Sequence, residues 1–393
     1  MYRYSDLALP IQHQMFVNDL LSVSGEMLTE QDDLTMSNVR YNGYAAEATG
    51  PVVLTSIGDL SLTETVRVTG QSEVTAQNIT VTGGDWGSLG GDTTFRAIDA
   101  LTFDGNSGGT TSQGNVLLYA GDQIVFGAGT TTQSDQTLTI GVDLVGQTSE
   151  AVDAPGGIVT LNGSWNASDI NLITGADKDT VTLTPERIDG NVHVMLGADE
   201  DNFTINELNT RNAAHSFFID GQGAADEYVV NRNQSAANYV LTFQDTGARD
   251  DGADFLTING RGAGVLASAD PATQSAPLTS DKDVVLVRKS FIALMNETAP
   301  GTFAQGYERI NYGSDMNGRV RVNGFAGEDA FYSDDTSTMI TLDGGLHNDT
   351  FQIGQLFGSA RVAPNVAAGD EIETNETTQG FLSVGNSMPM LVY

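Results

Sequence analysis

A chain of 393 residues with 51 Asp and Glu against 17 Lys and Arg carries a formal charge of −34, and it holds no Cys. That balance argues against a nucleic-acid binder, which needs a basic footprint for phosphate, and the missing thiols exclude disulfides and thiolate metal sites. No apolar run of roughly 18 residues spans a membrane, and 45 Gly with 9 Pro and 39% hydrophobic residues favour short strands between frequent turns.

Residues 1–45 read as a lead-in or cap. Met1-Tyr2-Arg3-Tyr4-Ser5-Asp6 is followed by scattered polar residues and is not a signal peptide. Within this stretch Ile11 to Leu28 is expected as an amphipathic helix, with Met15, Leu20 and Leu21 apolar and Gly25 against it.

From 46 to 174 the chain is a series of short alternating runs divided by Gly, Asn, Asp, Ser and Thr: Leu60-Ser61-Leu62, Val74-Thr75-Ala76, Ile79-Thr80-Val81, Ile124-Val125-Phe126, Leu138-Thr139-Ile140. Such strands are too short for independent hairpins. They suit a coil in which each strand pairs with its equivalent one turn away, the logic of a parallel β-helix. The stretch from Gly114 through Tyr119 and Phe126 to Gly129 resembles the repeats of filamentous-haemagglutinin-type adhesins over a couple of coils.

From 175 to 262 a second repeat appears. Gly175-Ala176-Asp177-Lys178-Asp179-Thr180-Val181 is echoed by Gly197-Ala198-Asp199-Glu200-Asp201-Asn202-Phe203, by Ala225-Asp226-Glu227-Tyr228, and by Asp251-Gly252-Ala253-Asp254-Phe255-Leu256. Residues 263–317, with Asp270-Pro271 and Ala299-Pro300-Gly301 around the strand-like Val284 to Val287, read as an inserted loop region on the coils. Over 318–393 two further units follow, Gly324-Phe325-Ala326-Gly327-Glu328-Asp329-Ala330-Phe331 and Gly344-Gly345-Leu346-His347-Asn348-Asp349-Thr350-Phe351. The closing apolar run Met388 to Tyr393 suggests coils continuing beyond this sequence. Steps of 22 (201 − 179), 25 (226 − 201), 28 (254 − 226) and 20 (349 − 329) residues each match one solenoid coil. The expected fold is therefore all-β, a right-handed parallel β-helix (β-solenoid) with an insertion.

Each unit sets a Gly-containing acidic turn before an aspartate, a spacer and a large apolar residue. Gly permits positive φ, the aspartate aims an oxygen at the turn, and the apolar residue enters the core. This pattern resembles the nonapeptide Gly-Gly-x-Gly-x-Asp-x-(apolar)-x of hemolysin-type calcium-binding (RTX) proteins. The unit at Asp349 departs only at His347; that at Asp329 replaces the second Gly with Phe325; those at Asp179 and Asp201 carry Asp177 and Asp199 in place of the third Gly. The resemblance implies Ca2+ as cofactor, with Asp177, Asp179, Asp199, Asp201, Asp226, Asp251, Asp254, Asp329, Asp343 and Asp349 as candidate ligands, oxygens suiting a hard cation that takes about six to eight of them. The segment from Tyr307 to Gly358 also resembles a module of very large bacterial repeat proteins, which implies secretion and an extracellular, cell-surface or matrix role.

The bland counterpart of these motifs is a set of turns that bind nothing. Gly105-Asn106-Ser107-Gly108-Gly109 fits a nucleophile-elbow spacing, but none of His13, His193, His215 or His347 pairs with it in sequence, and a loop is the better reading. The Asn-x-Ser/Thr sequons, Asn78 and Asn166 among them, follow from composition. A β-helical polysaccharide lyase or epimerase would need a base with Arg or Lys beside it, yet Lys178, Lys282 and Lys289 are the only lysines. The expectation is a non-catalytic calcium-binding structural or adhesive segment. Its expected partners are other stretches of a long chain, copies of itself as a filament or surface-layer subunit, and cell-surface or matrix glycans.

Overall fold

The computed structural model describes residues 58–354 apart from 63–65, 69, 83, 106–108, 145, 148–155, 233–235, 249–250 and 262–281. Outside that span it describes 21–23, 28–29, 34–37, 39–41, 46–48, 52–55, 374–377, 380–383 and 385–393. Its described residues are all-β with no helix, and the strands join in mostly parallel sheet. Leu21–Val23 and Leu28–Thr29 are strands, so the end of the helix expected over Ile11 to Leu28 is β instead; residues 11–20 lie outside the described residues. The chain divides into two compact units, residues 1–202 with 214–216, and 203–213 with 217–393.

In the first unit each short strand pairs in parallel with the strand third along the chain, and the long strands Ile158–Ile173 and Thr180–Met195 extend these ladders as consecutive partners. Leu60–Leu62, Ile79–Val81, Ala100–Phe103, Gln123–Phe126, Ile158–Ile173 and Thr180–Met195 form one such series. Register aligns Leu60, Ile79, Leu101, Ile124, Val159 and Val181 in one column and Leu62, Val81, Phe103, Phe126, Leu161 and Leu183 in the next. Every one of these side chains is at most 1% exposed. The period-2 alternation of the sequence is thus the cause of the stacking: inward residues of one repeat find inward residues of the next. Phe95, Phe103 and Phe126 form an internal aromatic file, the last two rings stacked at 4.7 Å and 13°.

The second unit repeats this plan. Glu227–Asn231, Phe255–Asn259, Arg319–Asn323, Ile340–Asp343 and Met390–Val392 pair in parallel, and so do Val284–Arg288, Ala330–Ser333 and Thr350–Ile353. The described part of the expected insertion is not a loop. Val284–Arg288, Phe291–Ala299 and Thr302–Asn311 make an antiparallel meander whose outer strands continue the parallel ladders, Thr302–Asn311 beside Tyr239–Gln244 and Val284–Arg288 beside Ala330–Ser333. Val284, Val285, Phe291, Ile292, Ala293 and Leu294 are buried, which is why the segment enters the sheet instead of standing on it.

Candidate functional site

Of the aspartates that stand one residue ahead of a strand, six are buried: Asp179, Asp201, Asp226, Asp254, Asp283 and Asp329. All are at most 2% exposed. Burying that many carboxylates is costly unless each is engaged, and the geometry shows how they are. The Oδ1 of Asp201 accepts the backbone N–H of Asp179 at 2.7 Å, and Oδ1 of Asp179 accepts that of Gly157 at 2.5 Å. In the second unit Oδ1 of Asp254 accepts the N–H of Asp226 at 3.0 Å, that of Asp329 the N–H of Asp283 at 2.6 Å, and that of Asp349 the N–H of Asp329 at 2.9 Å. Asn317 completes the set, its Oδ1 taking the N–H of Asp254 at 3.0 Å. Each side-chain oxygen therefore stands in for a backbone carbonyl where the turn carries the main chain away from its neighbour.

The other carboxylate oxygen explains a glycine. A Cβ on Gly221, Gly324 or Gly344 would collide with Oδ2 of the aspartate five residues later, Asp226, Asp329 or Asp349. Across the meander, a Cβ on Gly260 would meet Asp283 in the same way. None of these four glycines has positive φ, so space and not conformation requires them. Positive φ falls instead four and two residues before the aspartate: Gly197 and Asp199, Gln222 and Ala224, Phe325 and Gly327, Gly345 and His347. The three glycine positions of the nonapeptide thus have separate causes, one carboxylate seat and two left-handed residues. Asp199, Gln222, Ala224, Phe325 and His347 hold the left-handed conformation at a cost of about 1 kcal/mol each.

Burial sets the electrostatics. It pushes the Asp329 carboxyl up to about 8, with the carboxylates of Asp283 and Asp349 adding to the rise against the N–H of Asp283 and the charge of Arg232. Burial, then Asp245 and Asp226, pushes Asp254 up to about 7. Asp179 rises only to about 6, because the N–H groups of Gly157 and Gly175 and the hydroxyl of Thr174 oppose its burial. No donor reaches Oδ2 of Asp254 or of Asp329.

The ten expected ligands separate into two groups. Asp179, Asp201, Asp226, Asp254, Asp329 and Asp349 belong to the ladders, whereas Asp177, Asp199, Asp251 and Asp343 do not. Asp199 is exposed and caps the N–H of Glu200, Asp251 is exposed and accepts the N–H of Ala248, and Asp343 pairs with Arg321 at 2.8 Å. The acidic turns do not form one continuous series either: Asp283, unrecognised in the sequence, lies beneath Asp329, and Asn317 lies above Asp254. Among the described residues no three acidic or histidine side chains gather as a group that would hold a metal ion. The ladder oxygens have the hard character calcium prefers, and each Oδ1 that caps an N–H spends one of its acceptor sites on it.

Also unrecognised was a second ladder at the far end of the same strands. Asn231 Nδ2 donates to Asn206 at 2.6 Å, Asn259 to Asn231 at 2.8 Å, and Asn323 to Asn259 at 2.8 Å. The signal was an Asn five residues after Asp201, Asp226 and Asp254 (206 − 201, 231 − 226, 259 − 254). Residues 106–108 of the Gly105–Gly109 loop lie outside the described residues. No family model, curated protein or solved structure matches the chain.

Proposed function

We propose that the chain is a non-catalytic structural or adhesive segment, built as a right-handed parallel β-helix and working outside a bacterial cell or on its surface. The observation that carries this reading is the engagement of the buried aspartates. Unusually placed carboxylates are the usual mark of an active site, but here Asp179, Asp254 and Asp329 spend an oxygen on backbone N–H groups inside the fold. Their work is to hold one repeat to the next. Right-handedness rests on the near-universal hand of connections between parallel strands of one sheet. On this reading, assays on pectin, alginate and similar polyuronates give no turnover. Reproducible product that disappears on changing a single acidic or basic residue would overturn it.

One observation favours a second reading in which Ca2+ completes the turns. The donor-less Oδ2 atoms of Asp254 and Asp329 are oxygens that a cation, like a proton, would satisfy. Calcium would then tighten turns that are loose in its absence. Exchange of the aspartate amides in chelator and in calcium separates the two readings.

A further inference from the structure

We propose that Arg232, Asp283, Asn296 and Glu308 form a buried latch that selects the register in which residues 283–311 join the sheet. The four side chains come from four stretches of chain: just after Glu227–Asn231, just before Val284–Arg288, the middle of Phe291–Ala299, and the end of Thr302–Asn311. The side chains of Arg232, Asp283 and Glu308 are fully buried. Arg232 donates through Nε to Glu308 at 2.8 Å, through one terminal nitrogen to Asp283, and through the other to Asn296 at 2.9 Å. Tyr239 donates to the second oxygen of Glu308 at 2.9 Å. Asn296 donates to the carbonyls of Ala237 and Gly306, both at 2.9 Å, clasping the meander to the chain beside it.

Register elsewhere follows from alternation, because a one-residue slip turns every inward side chain outward. That rule fails in the meander. Phe291, Ile292, Ala293 and Leu294 are buried in succession, as are Val284 and Val285, so over these residues both faces are apolar and alternation selects no register; inward and outward side chains alternate only toward the ends of the strands. A slipped strand would keep its apolar contacts. It would also carry Glu308 away from Arg232 and leave its carboxylate unpaired in the interior, the outcome such sites tolerate least, or carry Asn296 away and leave a buried guanidinium N–H without its acceptor. The polar cluster supplies the discrimination that the apolar pattern lacks.

The test is amide hydrogen exchange with NMR on the full chain. In Arg232→Met, amides of 284–311 should exchange about 100-fold faster or more, since two carboxylates lose their cation, while amides of Thr180–Met195 in the first unit stay as protected as in the parent. In the triple variant Arg232→Met/Asp283→Asn/Glu308→Met, which removes the three ionised members of the latch, protection should return while resonances of 291–311 split into more than one set, each a register. Equal acceleration of Thr180–Met195 and 284–311 in the single variant overturns the latch as the device that holds 284–311. A single resonance set in the triple variant overturns the register role. If Arg232→Met does not fold, Arg232→Lys, which keeps charge but loses the planar fork, should show about 10-fold faster exchange confined to 284–311, and uniform or absent acceleration there overturns the proposal.

Discussion

Raising the pH from 5 to 9 should destabilise the second unit, and Asp329→Asn should remove much of that loss. The Asp329 carboxyl has a folded value of about 8 against an ordinary value of 3.8. Between those two values the folded protein binds more protons than the unfolded chain, so stability falls as pH rises and the contribution is gone once pH passes about 8. At about 1.4 kcal/mol per unit, and allowing for relaxation of the site, Asp329 accounts for about 3 kcal/mol, with Asp254 adding to it over a range that ends near 7. Asparagine keeps an acceptor for the N–H of Asp283 and carries no charge, as Asn317 already does above Asp254. The variant should match the parent at pH 5 and exceed it at pH 9 in chemical denaturation. A parent whose stability rises between those values would contradict the assignment.

Phe331→Ala should cost about 3–5 kcal/mol and Phe351→Ala clearly less. Both occupy the second position after a ladder aspartate, and their rings stack at 4.9 Å and 10°. Phe331 is fully buried, with strands paired on either side of its own: Val284–Arg288 and Thr350–Ile353. Phe351 belongs to the last strand of that ladder among the described residues and is only half-buried, so its loss leaves a smaller cavity. Equal losses in denaturant midpoint for the two variants, at unchanged slope, would show that the burial difference is not what sets the cost.

Much of the architecture was legible. Alternation such as Ile79-Thr80-Val81 and Leu138-Thr139-Ile140 fixed which side chains face inward, and the rule placing a large apolar residue two after the aspartate picked out Val181, Phe203, Tyr228, Leu256 and Phe331, all fully buried. The sequence also placed most of the ladder aspartates. It did not reveal which aspartate lies beneath which, because contact order along the chain breaks at the meander: Asp329 sits above Asp283, 46 residues earlier, and not above Asp254. Asp283 was missed because its glycine seat, Gly260, lies across the inserted stretch instead of five residues upstream. The meander itself was unreadable by period, since Phe291-Ile292-Ala293-Leu294 is apolar throughout. Arg232 gave no sign of burial; only the convergence of three distant segments makes a guanidinium tolerable there.

The central claim, that the aspartate carboxylates cap backbone N–H groups between repeats, is tested most directly by hydrogen exchange at those amides in chelator and again in calcium. The N–H groups of Asp179, Asp226, Asp254, Asp283 and Asp329 each meet a side-chain oxygen at 2.6–3.0 Å. In metal-free protein these five amides should be as protected as the interior amides of the strands they precede, and Asp349→Ala should release that of Asp329 alone, by about 10-fold for one lost charge-assisted hydrogen bond. If all five exchange at loop rates in chelator and become protected only when calcium is added, the caps are a product of the ion and the account is wrong.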